Sequence, residues 1–336
     1  MPVVIDAHAH LFDDSVPGAA EIYPRWGGDL APVRGVDGLL AQMDEAGIDR
    51  AFVLGMTATD VAPHFPPEKR HWMESSFQHV LSREVYLSAW TAHRDRLDWF
   101  PDSHDPRVPG YVERAERDLK MGAAGLKILN AFVDTAVDDP LWFPIYELLV
   151  AHDKPCIIDP SYWYLDDPTF APSLAGRYRD YAEFAEGFHA VAARYPRLRM
   201  QIAHFGTPKI RIRRAGTVLG LSPDAGVEID YASLEGPIEL MRPHPNFYCE
   251  LSAYEHFIPR DEAFPFWTAL KIVEIVVAGL GADRVIWGTD WPFVGHKKYP
   301  ELIRAIRQAP FLGPGDADKI LGQNALRLVA PTKVAR

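Results

Sequence analysis

Cysteine is nearly missing from this chain: Cys156 and Cys249 are the only two among 336 residues. Both lie in apolar, strand-like segments. They read as buried free thiols, which points to an intracellular, cytoplasmic protein rather than a disulfide-stapled secreted one. No apolar run approaches the roughly 18 residues of a membrane span. The N-terminus has neither the basic nor the apolar region of a signal peptide, so none is expected. An excess of positive charge is also absent. The formal net charge is −11, with 35 Lys and Arg against 46 Asp and Glu, which argues against nucleic acid as the main partner. No glycine-rich phosphate loop follows any apolar segment, which weakens a nucleotide-binding reading.

What the chain does have is a regular alternation. Short apolar segments at 3–12, 51–56, 85–92, 124–129, 155–159, 199–204, 247–252 and 284–288 read as strands. Helical periodicity marks 36–46, 71–83, 111–121, 142–152, 181–195, 228–241 and 267–280, with terminal helices at 300–308 and 317–328. Strands this apolar, each followed by a helix, suggest a parallel sheet buried on both faces. Eight such units are the count of a closed (β/α)8 barrel, and 336 residues fit one such α/β domain spanning 1–336. A doubly wound open sheet is the fallback.

A barrel places its chemistry where strands end, at the C-terminal face. Strand one ends in His8-Ala9-His10, two imidazoles two residues apart that project to one side and can grip one metal ion. The alternative is a pair of half-exposed histidines at a strand end. Strand four ends near Lys127, strand five in Asp159, strand six in His204 and strand eight in Asp290. Glu250, within strand seven, needs a buried partner if it points inward.

Four motifs now carry a resemblance: His8-x-His10, Gly125-Leu126-Lys127, Ala203-His204-Phe205-Gly206 and Gly288-Thr289-Asp290-Trp291-Pro292. Together they resemble the amidohydrolase superfamily. The nearer likeness is to its amidohydrolase-related branch, which includes aminocarboxymuconate-semialdehyde decarboxylase-like enzymes and dicarboxylate lactonases. The closing segment 320–328 is similar to that branch's last helix. The resemblance implies a distorted (β/α)8 TIM barrel with one divalent metal ion at its mouth, zinc first and manganese second. It implies His8, His10 and Asp290 as metal ligands, and His204 as a metal-binding or catalytic histidine. Many members end strand five in a further histidine; Asp159 stands there instead. It is expected to bind the metal through oxygen, or else to mark a metal-free lactonase. With that histidine missing, a two-metal centre bridged by Lys127 is not expected.

The expected chemistry is hydrolysis through a metal-activated water, with Asp290 taking the water's proton and His204 acting as hydrogen-bond donor or acid/base. Non-oxidative decarboxylation on the same site is the first alternative. A metal-independent lactonase is the second. A silent binding barrel is the third, supported only by the missing strand-five histidine. The basic runs Lys209-Ile210-Arg211-Ile212-Arg213-Arg214 and His296-Lys297-Lys298 lie on the active-site side of an acidic chain. They favour a small anionic, carboxylated substrate, with Lys127, Arg211, Arg213, Trp163 and Trp291 as its expected contacts. Homodimerisation is left open, since no stretch shows an interface.

Overall fold

Backbone hydrogen bonding runs around a closed ring of parallel strands in the computed structural model, which describes residues 2–11, 35–55, 83–102, 105–168, 170–212, 228–259, 261–292 and 298–332. Strands β1 (Ile5–Ala9), β2 (Arg50–Leu54) and β3 (Leu97–Phe100) form one parallel set. Strands β4 (Leu126–Ile128), β5 (Cys156–Ile158), β6 (Met200–Ile202), β7 (Phe247–Glu250) and β8 (Val285–Ile286) form the other. Two seams join them. At β3/β4, Asp102 bridges to Lys127, Ala124 N donates to Trp99 O at 2.8 Å, and Lys127 N donates to Pro101 O at 2.8 Å. At β8/β1, Ala9 bridges to Trp291, Ala7 N donates to Trp287 O at 3.1 Å, Asp290 N to His8 O at 2.7 Å, and His10 N to Trp291 O at 2.7 Å. The ring replaces the open-sheet fallback.

Side-chain alternation divides the core in two. Ile5, Ala7, Phe52, Leu54, Phe100, Ile157, Tyr248 and Ile286 fill the barrel interior. The intervening residues, among them Val53, Ile128, Cys156, Ile158, Met200, Cys249 and Val285, face the outer helices. Both cysteines are free and buried in that outer layer. Strands covered on both faces are mostly apolar, with Asp6, His8, Lys127, Gln201 and Glu250 set among them, which is why the sequence shows runs rather than alternation.

The helices follow elementary rules. Helix α1 (Gly35–Ala46) buries Leu39 and Met43, and Gly47 at φ 68° follows it. Helix α2 (Arg83–Ala92) corrects the expectation of a strand at 85–92. An eight-residue apolar run is ambiguous by length alone, and its buried residues Tyr86, Ala89 and Trp90 have helical i, i+3, i+4 spacing. The third strand is instead Leu97–Phe100, in register from Ala51↔Leu97 to Leu54↔Phe100. Helices α3 (Tyr111–Met121), α4 (Phe143–Ala151) and α5 (Tyr181–Arg194) stand where periodicity put them. Asp180 caps α5 by accepting from Glu183 N at 2.9 Å.

The helix expected over 228–241 is shorter. Glu228–Ile229 pairs antiparallel with Arg211–Ile212, and helix α6 is Glu235–Met241. Pro237 explains the late start, because proline is tolerated only in a helix's first turn. Helices α7 (Trp267–Leu280) and α8 (Tyr299–Arg307) follow. The closing helix is interrupted by a π segment, Lys319–Gln323, before Asn324–Val329. Expected helix 71–83 falls almost wholly outside the described residues.

Ala325 and Leu328 of that last segment join the interior cluster with Ile5 and Phe52, so the closing helix packs into the barrel core. Leu328 is fully buried, whereas Leu326 beside it is 41% exposed. Leu328→Ala is expected to cost about 2–5 kcal/mol in chemical denaturation, and Leu326→Ala under about 0.5 kcal/mol. Equal shifts for the two variants would contradict this packing.

Candidate metal centre and active site

A bulge in β1 sets the first two side chains. Asp6 pairs with Ala51 and Ala9 with Val53, so three steps on β1 oppose two on β2. The extra residue reverses the alternation. Ile5 and Ala7 face the interior below it; Ala9 faces outward above it, leaving His8 and His10 to point in. Asp6 holds this turn. Its carboxylate accepts from His8 N at 3.1 Å, Thr289 N at 2.9 Å and Thr289 Oγ1 at 2.6 Å. Burial pushes Asp6 up to about 7 despite those bonds. Gly288 leaves the room: a Cβ there would lie 2.8 Å from His8 Cβ.

The remaining strand ends bring in their residues through left-handed backbone. Ser161 after β5 (φ 51°), His204 after β6 (φ 53°), Ala253 after β7 (φ 59°) and Asp290 after β8 (φ 62°) all adopt it. Non-glycine residues seldom do so, and such conformations gather at functional sites.

His8 Nε2, His10 Nε2 and Asp290 Oδ1 form a triangle with edges of 3.2, 3.4 and 3.6 Å. A tetrahedral ion with ligand bonds of about 2.0–2.1 Å has ligand–ligand edges of about 3.3–3.4 Å. The tautomers agree. His10 Nδ1 lies 2.9 Å from Leu54 O, a carbonyl that can only accept, so Nδ1 carries the proton and Nε2 is bare. His8 Nδ1 lies 2.7 Å from Glu250 Oε2, and an ionised Glu250 fixes the same tautomer. Two bare nitrogens 3.2 Å apart repel unless a cation lies between them. Burial lowers the pKa of both imidazoles and so favours the neutral, metal-binding form. The three side chains fit a divalent ion.

His204 stands beside this triangle. Its ring meets His8 at 4.8 Å, tilted by 34°, and stacks on Trp163 at 5.8 Å and 20°. Nδ1 lies 2.7 Å from Ser252 Oγ, and Nε2 lies 3.7 Å from Asp159 Oδ2. Burial pulls its pKa down, but Asp159, Asp290 and Glu250 outweigh burial and bring it to about 9. Asp159 shows the converse. Burial raises it, yet His204, Lys127 and Ser161 bring it to about 2. Its Oδ1 accepts from Ser161 N and Oγ, both at 2.9 Å. Lys127 Nζ lies 3.4 Å from His8 Nε2, and burial lowers its pKa against the pull of Asp159, Glu250 and Asp290. Burial likewise raises Glu250 to about 7.

The profile of the amidohydrolase family matches residues 5–330. The chain belongs to this family. An L-fucono-1,5-lactonase from Burkholderia ambifaria is 27% identical over 255 residues, which cover 73% of this chain and 71% of that one. Among solved structures, an amidohydrolase from Burkholderia multivorans with bound zinc superposes with a TM-score of 0.59 at 17% identity, covering 98% of this chain and 100% of that one. A manganese-bound 5-carboxyvanillate decarboxylase from Novosphingobium aromaticivorans gives 0.59 at 17%, covering 97% and 96%. At these identities the two structures show a fold shared with this amidohydrolase, which also superposes on a TIM-barrel protein from Bordetella bronchiseptica with a TM-score of 0.62 at 16% identity, covering 97% of this chain and 98% of that one. Solved relatives hold zinc or manganese, and this chain presents a His/His/Asp candidate for such an ion.

Not every expected residue meets at this point of the amidohydrolase. His8, His10 and Asp290 converge; a second group, His8, His204 and Glu250, shares His8. Asp159 belongs to neither group and turns to His204 instead. Lys127 reaches the cluster, and Trp163 reaches it through His204. Trp291 is fully buried in the outer core, where its carbonyl anchors His10 N. Of the basic runs, Lys209 pairs with Asp166 at 2.6 Å, and Arg211 stands opposite Ile229 in the short ribbon. Arg213, Arg214, His296 and Lys297 lie outside the described residues. Ser252 carried no signal beyond its place two residues after Glu250, on the same inward face.

These placements set an order of metal affinities. His10→Ala and Asp290→Ala are expected to abolish stoichiometric zinc or manganese binding, read by elemental analysis after dialysis. Glu250→Gln is expected to weaken it about 10–100-fold. Asp159→Asn is expected to leave it within about threefold, because that carboxylate lies with His204; an effect as large as that of Asp290→Ala would make Asp159 a ligand.

Proposed function

We propose that this chain is a metal-dependent hydrolase that opens a small lactone ring with an activated water. The observation that carries this is the flanking of the His8/His10/Asp290 triangle by a hydrogen-bond donor, His204, with the Asp159 carboxylate 3.7 Å from its Nε2. The lactonase likeness, the stronger of the sequence relationships reported above, favours an oxygen ester over an amide.

Exposure separates a floor from a rim. The side chains of His8, His10 and Glu250 are at most 3% exposed; those of His204, Asp159 and Asp290 are 7, 11 and 13% exposed. Substrate therefore meets the last three first. His8, His10 and Asp290 would hold the ion, which when bound supplies Lewis acidity and a water of lowered pKa. The Asp290 carboxylate accepts a proton from the attacking water as the new C–O bond forms. His204 Nε2–H, whose charged form Asp159 favours from 3.7 Å, donates to the oxygen on which charge develops. The ring C–O bond then breaks, its oxygen takes the proton held on Asp290 and leaves as an alcohol, the Asp290 carboxylate is restored, and the product is a hydroxy acid. Lys127, buried below, places positive charge near the same point. Trp163 backs His204 and closes one side of the site. Arg211 and Arg213 are the proposed contacts to an anionic group on the substrate.

The metal-loaded protein is expected to release one equivalent of acid from sugar 1,5-lactones, followed with a pH indicator. Asp290→Asn and His204→Ala are each expected to lower kcat about 10²–10⁴-fold. Turnover that survives a chelator would favour a metal-free lactonase. Carbon dioxide release from hydroxybenzoic acids without lactone opening would overturn the hydrolase reading in favour of decarboxylation.

A further inference from the structure

Ser252 is fully buried, and its hydroxyl touches both functional imidazoles: His204 Nδ1 at 2.7 Å and His8 Nδ1 at 3.2 Å. Its own position is fixed twice. Ser252 N donates to Glu250 Oε1, and Ala253 turns the chain away with φ 59°. The two contacts are unequal. His8 has a nearer partner at Nδ1, the Glu250 carboxylate at 2.7 Å. The hydroxyl at 2.7 Å holds the inner edge of the His204 ring. Two flat neighbours meet that ring, His8 tilted by 34° and Trp163 stacked at 20°, and such contacts resist tilting but not rotation within the ring plane. Such rotation is stopped only at the edges. At the outer edge Asp159 stands off at 3.7 Å, beyond a close hydrogen bond.

We propose that Ser252 is a positioning residue that locks the in-plane orientation of His204 and so aims its Nε2–H at the substrate. The role rests on His204 donating to substrate, as proposed above, and deepens that reading. A serine hydroxyl suits it because it is both donor and acceptor and can turn to match the imidazole. Alanine removes the lock and leaves a buried Nδ1 without this partner.

The test is a double-mutant cycle on the metal-loaded enzyme, with Ser252→Ala, His204→Ala and the double variant. Ser252→Ala is expected to lower kcat about 10–100-fold with KM within threefold and metal content unchanged. In the His204→Ala background it is expected to change the residual rate less than twofold. A crystal structure of Ser252→Ala supplies a readout independent of turnover, with the His204 ring rotated or in two orientations. The proposal is overturned if the ring stays in place, if kcat stays within twofold, or if metal is lost, since loss would mean that Ser252 acts through His8. An equal effect in both backgrounds would overturn it as well. If the wild-type protein opens no lactone, the functional reading fails while the ring orientation still decides the role of Ser252.

Discussion

The seam between the last strand and the first is the constraint on which the site depends. Asp6 and Thr289 are 283 residues apart in sequence, yet their side chains and backbone are joined by two hydrogen bonds. The same seam carries the bond from Asp290 N to His8 O, so the metal-facing carboxylate is tied to the backbone of the first imidazole. Barrel closure and site assembly are thus one event. Its entropic cost is modest for such a separation, because each doubling of a closed loop adds only about 0.6 kcal/mol. The more demanding part is chemical: a carboxylate must be buried at the seam, and Asp6 tolerates this by accepting three hydrogen bonds.

Charge explains the next level. Glu250, Asp159 and Asp290 surround Lys127 and His204 in a space nearly closed to water. Burial raises Glu250 and lowers Lys127, while His204 and Asp159 stabilise each other's ionised forms. His8 and His10 are driven to neutrality and aim bare nitrogens at each other. Such an arrangement makes electrostatic sense around a cation, and the carboxylate behind His8 strengthens that ligand.

Much of this was legible in the sequence, for identifiable reasons. A polar residue that ends an apolar run announces itself, as His8, His10, His204 and Asp290 do. Its direction is harder to read. Asp159 ends a strand, but an Asx turn with Ser161 aims it at His204 rather than at the triangle. Glu250 was visible as an inward carboxylate without a visible partner; that partner, His8, is 242 residues away. Ser252 was silent because serine is common and its two imidazole contacts are 48 and 244 residues distant. The exchange of α2 for β3 has a local cause. Tyr86, Ala89 and Trp90 look like a strand by composition and a helix by spacing, and Leu97–Phe100 is short and flanked by charge.

The division between floor and rim bears on how one scaffold serves different reactions. The floor supplies two of the three candidate metal ligands, His8 and His10, and Glu250 fixes the tautomer of His8; it depends on β1 and β7, and β1 also forms the closing seam with β8. Change there would threaten fold and metal together. The rim depends on residues just past β5, β6 and β8, where His204 and Asp290 take left-handed backbone and Ser161 does so two residues after Asp159. Asp159 and Trp163 both come from the segment after β5 and act on His204 from different sides. Substitution in that segment would act on His204, the proposed proton-handling group, and leave the candidate metal ligands in place. Lactone opening and decarboxylation would then differ in what His204 and Asp290 deliver, and to which substrate atom, above a floor that need not change.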